Sequence, residues 1–320
     1  MIHVLTVHWK DDRWIDVQLR YLRRHVAEAY RVYAFLNHIP AHYREKFFYA
    51  SQEPIKAHPV KLNLLADVAT AYAGSEDDFL LFIDGDAFPV ADVASWGREK
   101  LEEHPLLAVQ RLENGGDRQP HPSFCLTTVG FWREIEGDWK PGHTWKNARG
   151  EEVTDVGGNL LGILEERGTD WYPLRRTNRR DLHPLMFGVY DDVVYHHGAG
   201  FRPPAARIDI PLRRRRERTN PRYVLRKVLH PLVPSVLWGK ELKKRLDPEK
   251  WVGWQVYEEN QALSERIFRQ LDEDEEFFRQ FLEPDGTNVR EAGLSAPEAH
   301  GSGLSGSAAT GAAATGGKRR

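Results

Sequence analysis

The stretch Phe79-Leu80-Leu81-Phe82-Ile83-Asp84-Gly85-Asp86-Ala87-Phe88-Pro89 decides how the rest of this chain is read. Its apolar run is what a short strand buried on both faces looks like. The run stops at two carboxylates with one glycine between them. Residues two apart on an extended chain point to the same side, so Asp84 and Asp86 can converge on one point. Gly85 leaves room for a ligand to approach the backbone. Two hard oxygen donors suit Mg²⁺ or Mn²⁺, and such an ion suits a phosphate-bearing substrate. Open α/β sheets bind ligands beyond the carboxyl ends of their strands, which is where this pair falls. Asp-x-Asp is short and also serves turns and helix caps. Its position closing an apolar strand is what singles it out.

Upstream of this stretch the pattern alternates. Ile2 to Trp9 reads as a buried strand. Asp11 or Asp12 can cap a helix running to about Tyr30, with Ile15, Leu19, Leu22 and Val26 on one face. Arg31 to Leu36 reads as a second strand, and Phe47-Phe48-Tyr49 as a further short one. This is a βαβ unit and predicts a parallel sheet with a right-handed crossover. Leu62, Leu65, Ala69 and Tyr72 mark a helix ending at Gly74. Downstream the order is less regular. Strands are expected at 106–110, at 124–131 and at 193–195, and a helix from about Asp155 to Arg167. The fold class is therefore α/β, with a mostly parallel central sheet flanked by helices.

The 320 residues, 29% charged and 41% hydrophobic, suit a large α/β domain with an appendage. The formal net charge of −2 carries no bias towards nucleic acid, which is not an expected partner. Cys125 is the sole cysteine, sits in a strand-like run and reads as a buried structural thiol. No intramolecular disulfide can form, which fits a reducing, cytoplasmic setting. The sequence shows neither a signal peptide nor an apolar run long enough to span a bilayer. Between Arg202 and Lys250, 15 Lys/Arg stand against 5 Asp/Glu, with Arg213 to Arg216 unbroken and Leu225, Leu229, Leu232, Leu237 and Trp238 close behind. That segment reads as a solvated helix face or as a peripheral contact with an anionic membrane at its inner face. Pro231 and Pro234 interrupt any long amphipathic helix there. From Ala292 the chain is rich in Gly, Ala, Ser and Thr and is expected to be disordered.

Asp84-Gly85-Asp86, coming after two βα units, resembles the DXD motif of GT-A fold glycosyltransferases, and the likeness spans about residues 1–205. The resemblance implies a Mn²⁺ or Mg²⁺ ion that grips the diphosphate of a nucleotide sugar. It implies transfer of the sugar to an acceptor hydroxyl, on a glycan or a lipid-linked acceptor. His197-Gly198-Ala199-Gly200-Phe201-Arg202-Pro203 is similar to the His-x-x-Gly segment of some of those enzymes. By that match His197 is the third metal ligand and Arg202 a diphosphate contact, with His196 facing the other way. Asp155 is either a helix cap or, by the resemblance, a general base or a sugar contact. Trp9 falls where the family seats the nucleotide base, and Lys61 could reach phosphate. The Trp-rich stretch 132–145 reads as an acceptor wall or as packing. The expected organisation is a GT-A-like domain at 1–205, a basic helical extension at 206–285 and a disordered tail at 286–320. A nucleotidyltransferase is the nearest rival, but Thr6-Val7-His8-Trp9-Lys10 is no Gly-rich phosphate loop. A non-catalytic carbohydrate- or membrane-binding protein is the rival from another class.

Overall fold

The first apolar run forms β1 (Ile2–Trp9) in the computed structural model, which describes residues 1–198, 208–233 and 238–283. Helix α1 (Arg13–His25) and β2 (Tyr30–Asn37) follow, and β1 and β2 pair in parallel, completing the expected βαβ unit. Asp12 is the first residue outside α1, but it is the Asp11 carboxylate that accepts the Arg13 N–H, at 3.2 Å. The helix ends at His25 rather than near Tyr30, because Val26 turns to an extended backbone and is buried. β3 (Tyr49–Ser51) starts later than expected, and Phe47 instead fills the core. Then come α2 (His58–Tyr72), β4 (Phe79–Asp84), β5 (Ala87–Pro89), α3 (Val93–Leu101), β6 (Leu106–Val109) and β7 (His121–Thr128). α4 (Val129–Glu134) takes over where the last strand was expected to continue, capped by the Thr128 hydroxyl. A small hairpin of β8 (Trp145–Lys146) and β9 (Glu152–Val153) leads to α5 (Gly158–Arg167), β10 (Tyr172–Leu174), β11 (Gly188–Tyr190) and β12 (Val194–His196).

Seven strands make the central sheet in the order β10-β6-β7-β4-β1-β2-β3. Only β7 runs against its neighbours β4 and β6; the other pairs are parallel. The α/β class with a mostly parallel, helix-flanked sheet is thus the one the sequence predicts. Alternation along β1 sends Ile2 and Val4 to one face and Leu5 and Val7 to the other. α1 and α3 cover the first face through Ile15, Leu22, Val93 and Ala94. α2 and α5 cover the second through Leu62, Leu65, Leu160 and Leu164. Cys125 is fully buried in that second layer, and burial pushes its thiol well up, as a structural cysteine requires. The Trp-rich segment is no open acceptor wall: Trp132 and Trp139 are buried, with ring centroids 4.7 and 5.1 Å from Phe82.

A second, three-stranded sheet in the order β11-β12-β5 lies beside the first. The chain continues through α6 (Asp209–Glu217), α7 (Pro221–Leu229), α8 (Trp238–Leu246) and the long α9 (Pro248–Glu273) to a 3-10 turn at Phe277–Phe281. α9 and that turn set Ile267, Phe268, Leu271, Phe277, Phe278 and Phe281 against Trp14, Val17 and Tyr21 of α1 and Phe88, Val189 and Tyr195 of the small sheet. α1 is thereby buried on two sides. The residues up to Glu283 form one compact unit. The expected boundary at 205/206, Arg202 and the tail from 286 lie outside the described residues. No helix among the described residues is long and apolar enough to cross a membrane.

Candidate functional site

β1 and β4 run parallel with Val7 beside Asp84, so Trp9 and Asp84-Gly85-Asp86 emerge together at the carboxyl edge of the sheet. β5 turns back and pairs with β12, setting His196 opposite Ala87. That pairing brings the His196 ring to the two carboxylates. Its Nε2 lies 3.9 Å from Asp84 Oδ2 and 3.6 Å from Asp86 Oδ1. One ligand atom from each of Asp84, Asp86 and His196 falls within 4.8 Å of the others. Two carboxylate oxygens and one imidazole nitrogen form a donor set that fits Mn²⁺ or Mg²⁺. Asp86 and His196 are buried, and two carboxylates this close repel each other unless positive charge lies beside them.

The ring that reaches the two acids is that of His196 and not of His197. Consecutive strand residues point to opposite sides, and His197 faces away into the core. Its Nδ1 meets the Tyr195 hydroxyl at 3.0 Å and its Nε2 the Ser264 hydroxyl at 2.8 Å. Its ring packs on Trp14 at 4.6 Å and Phe187 at 4.9 Å. Burial holds it neutral, with its pKa down at about 3. Its contribution to the site is through the main chain, where its N–H donates to Asp86 O at 3.0 Å.

Several residues around the acids escaped the sequence reading. The buried Gln18 amide of α1 donates from Nε2 to Asp84 O and to Ala87 O, each at 2.8 Å, and so ties both ends of the acidic turn. His58, at the start of α2, lies with Nε2 3.2 Å from Asp84 Oδ1. His121 sits with its ring centroid 6.0 Å from that of His196. Burial pushes the Asp84 carboxyl up, but the His58 hydrogen bond and the charges of His58, His121 and His196 outweigh it and hold the carboxyl well below its usual range. For Asp86, burial is likewise outweighed by the charge and hydrogen bond of His196. Burial drives His121 well below its ordinary value, with the Arg111 guanidinium adding to the shift. Burial also holds His8, at the end of β1, down at about 4 despite the Gln18 hydrogen bond. These second-layer histidines and the glutamine carry no motif. Their only signal is polar residues inside apolar strands and helix faces.

Trp9 and Lys61, predicted separately, meet. The Lys61 ammonium lies 4.2 Å over the Trp9 ring. Lys61 is buried, no carboxylate faces it among the described residues, and desolvation lowers it to about 8. The residues just past β1 and β2, Lys10 and His38, both take left-handed backbones, with φ of 65° and 60°. Such strain in non-glycine residues concentrates at binding sites. Asp155 is exposed and is not the cap of α5; its carboxylate accepts the Val156 N–H at 2.8 Å. The N-cap is Gly157, packed on Pro120 next to His121, so the start of α5 borders the same edge. Past β6, burial pulls the Arg111 guanidinium down, but Tyr190, Glu113, Asp117 and Asp84 together hold it above its ordinary value.

No family model and no curated protein matches the chain. Solved structures similar to it are glycosyltransferases. One is the glycosyltransferase GlyE of Streptococcus pneumoniae TIGR4, 14% identical at a TM-score of 0.33, the match covering 42% of this chain and 35% of that one. Another is S. aureus TarS in complex with UDP, 15% identical at 0.32, covering 43% and 49%. A third is the mannosyltransferase PcManGT of Pyrobaculum calidifontis with GDP-Man and Mn²⁺, 11% identical at 0.35, covering 83% and 75%. The chain thus spans less than half the length of the first two. At such scores these likenesses decide nothing further about this site.

Proposed function

We propose that this protein is a metal-dependent glycosyltransferase, moving a sugar from a nucleoside diphosphate sugar to a hydroxyl of a glycan or lipid-linked acceptor. The observation that carries this reading is the convergence, at one sheet edge, of two unlike charge arrangements. Asp84, Asp86 and His196 form a cation site. Beside it, Lys61 offers a buried ammonium with no carboxylate partner among the described residues, on the face of Trp9. A nucleoside diphosphate suits such a pair: Asp84, Asp86 and His196 would hold a divalent ion that offsets its phosphate charge, Lys61 would meet its phosphate oxygens, and Trp9 would offer an aromatic surface to its base.

In this reading Asp84, Asp86 and His196 hold the ion, and Gln18 fixes the turn that aims the two acids. A divalent ion bound there neutralises charge building up on the leaving diphosphate. Lys61 and Arg111 orient the phosphates. Arg202 stays a proposed further contact by its sequence position alone. Asp155 accepts the proton of the acceptor hydroxyl as that oxygen bonds to the sugar C1. The C1–O bond to the diphosphate breaks, and the leaving group keeps its electron pair. Residues 1–205 carry all of these groups, and the C-terminal helices support them. The test is release of nucleoside diphosphate from a panel of nucleotide sugars, with and without Mn²⁺, alongside calorimetric binding of UDP and GDP. Mn²⁺-dependent binding and slow release are expected. Absence of both across the panel would overturn the proposal.

A further inference from the structure

Surface helices point their apolar side inward, and α7 does the reverse. Its inward side carries Tyr223, buried with its ring 6.4 Å from Trp251 of α9, and Arg226, whose guanidinium lies 5.2 Å over the same indole. Its outward side carries Val224, Leu225 and Val228, continued past the helix end by Leu232, with exposures of 44%, 58%, 56% and 71%. Scattered exposed apolar residues are ordinary. Residues 224, 228 and 232, with 225 beside them, instead follow the spacing of one helical stripe. The adjoining α8 exposes Leu242.

The charge around this stripe says what covers it. Residues 208–246 hold 12 Lys/Arg against 3 Asp/Glu in a chain whose net charge is −2. Arg213 and Arg214 are committed to ion pairs with Glu217, Glu259 and Glu249. Arg215, Arg216, Arg222, Lys227 and Lys244 are exposed, and none meets a carboxylate among the described residues. An apolar stripe set among uncommitted cations matches an anionic lipid surface, with leucine and valine at the acyl boundary and the cations among the headgroups. A second copy fits less well, since a symmetric contact would press two positive surfaces together. Nucleic acid would satisfy the cations and leave the apolar stripe wet.

We infer that α7, with the neighbouring α8, is a peripheral docking face for anionic membranes. The stripe is short and Pro231 ends it, so attachment is reversible. This face lies outside the groups assigned to transfer, and vesicle binding is read without any substrate, so it stands or falls separately from the transfer reaction. The experiment is co-sedimentation of the full chain with phosphatidylcholine vesicles and with vesicles also containing phosphatidylglycerol, at low and high salt. Binding to the anionic vesicles, fading with salt, is expected. Each leaflet-facing cation contributes about a fivefold factor at low salt, so the double variant Arg222→Ala/Lys227→Ala, which removes the two exposed cations that flank the stripe on α7, should bind about 25-fold more weakly. Leu225→Glu/Val228→Glu/Leu232→Glu should lose binding by tenfold or more, since the apolar side chains no longer insert, with the thermal melt and nucleotide-sugar hydrolysis unchanged, because these side chains are already exposed. No binding at low salt, equal binding to neutral vesicles, or full binding by the triple variant overturns the inference. So does a dimer of the wild type that the triple variant dissolves, which would assign the face to a second copy.

Discussion

His196 and His197 are adjacent and chemically identical, yet only one can serve the cation site. The pairing of β12 with β5 decides it, and β5 lies far away in the sequence. The Asp84/Asp86 pair was legible from its place at the close of an apolar run, although Asp84 ends β4 and Asp86 lies in the turn before β5, so the turn and not strand alternation brings the two together. The histidine was not, because facing depends on a register with a distant partner. We expect His196→Ala to raise the Mn²⁺ concentration needed for nucleoside diphosphate binding by tenfold or more with little change in melting. We expect His197→Ala to cost about 2–4 kcal/mol in urea denaturation, through a cavity and the orphaned hydroxyls of Ser264 and Tyr195. The opposite pattern would return His197 to the ligand set. Lys61 gives a pH signature. Its folded-state pKa, lowered by burial to about 8, lies below the 10.5 of an open chain. Between those values the unfolded chain binds the proton that the folded one lacks, so this group makes stability rise with pH from about 8 to 10.5. Diphosphate binding should run the other way, weakening above about pH 8 as the ammonium is lost. In Lys61→Met both slopes should vanish; an unchanged pH profile for diphosphate binding would remove Lys61 from the donor site.

At the scale of elements, the strands and their parallel order were legible because buried strands are continuous apolar runs. α1 shows what was missed. Its Ile15, Leu19, Leu22 face was visible, but Trp14, Val17 and Tyr21 make a second apolar face that packs on other partners. Gln18 sits on that helix as a buried amide and reaches the acidic turn, which no helical period reveals. Gln18→Leu should keep the fold yet weaken Mn²⁺-dependent donor binding, since Asp84 O and Ala87 O lose their shared donor. Normal affinity in a well-folded Gln18→Leu would make the glutamine merely structural. The start of α5 is set by backbone geometry. Gly157 takes a φ of 88°, and a Cβ there would meet Pro120 O at 2.2 Å. Gly157→Ala should therefore cost about 1–3 kcal/mol from backbone strain, and more from the clash. Because the displaced segment continues into His121, donor binding should fall with stability. A variant as stable as the parent would mean that the turn relaxes freely.

At the scale of the whole molecule, the helical character of the extension at 206–285 was legible in the sequence, but the target of its apolar residues near the end was not. They close over the outer face of α1 and the small sheet that delivers His196. Ile267, Phe268, Leu271, Phe277, Phe278 and Phe281 are all buried there. Each such side chain contributes about 1.5–3 kcal/mol by leaving water, together on the order of 10 kcal/mol. That is comparable with the entire stability of an ordinary domain, about 5–15 kcal/mol. Residues 1–205, which hold every group assigned to the site, should therefore not fold by themselves. Without α9, Trp14, Phe88 and Tyr195 would face water, and His197 would lose Ser264. We expect the 1–205 fragment to aggregate or to lack a cooperative melt, and the full chain to unfold in one transition that Mn²⁺ with nucleoside diphosphate moves upward. A soluble 1–205 fragment that melts cooperatively and still binds nucleoside diphosphate would make the catalytic domain self-sufficient. The C-terminal helices would then be an attachment to the fold and not part of its core.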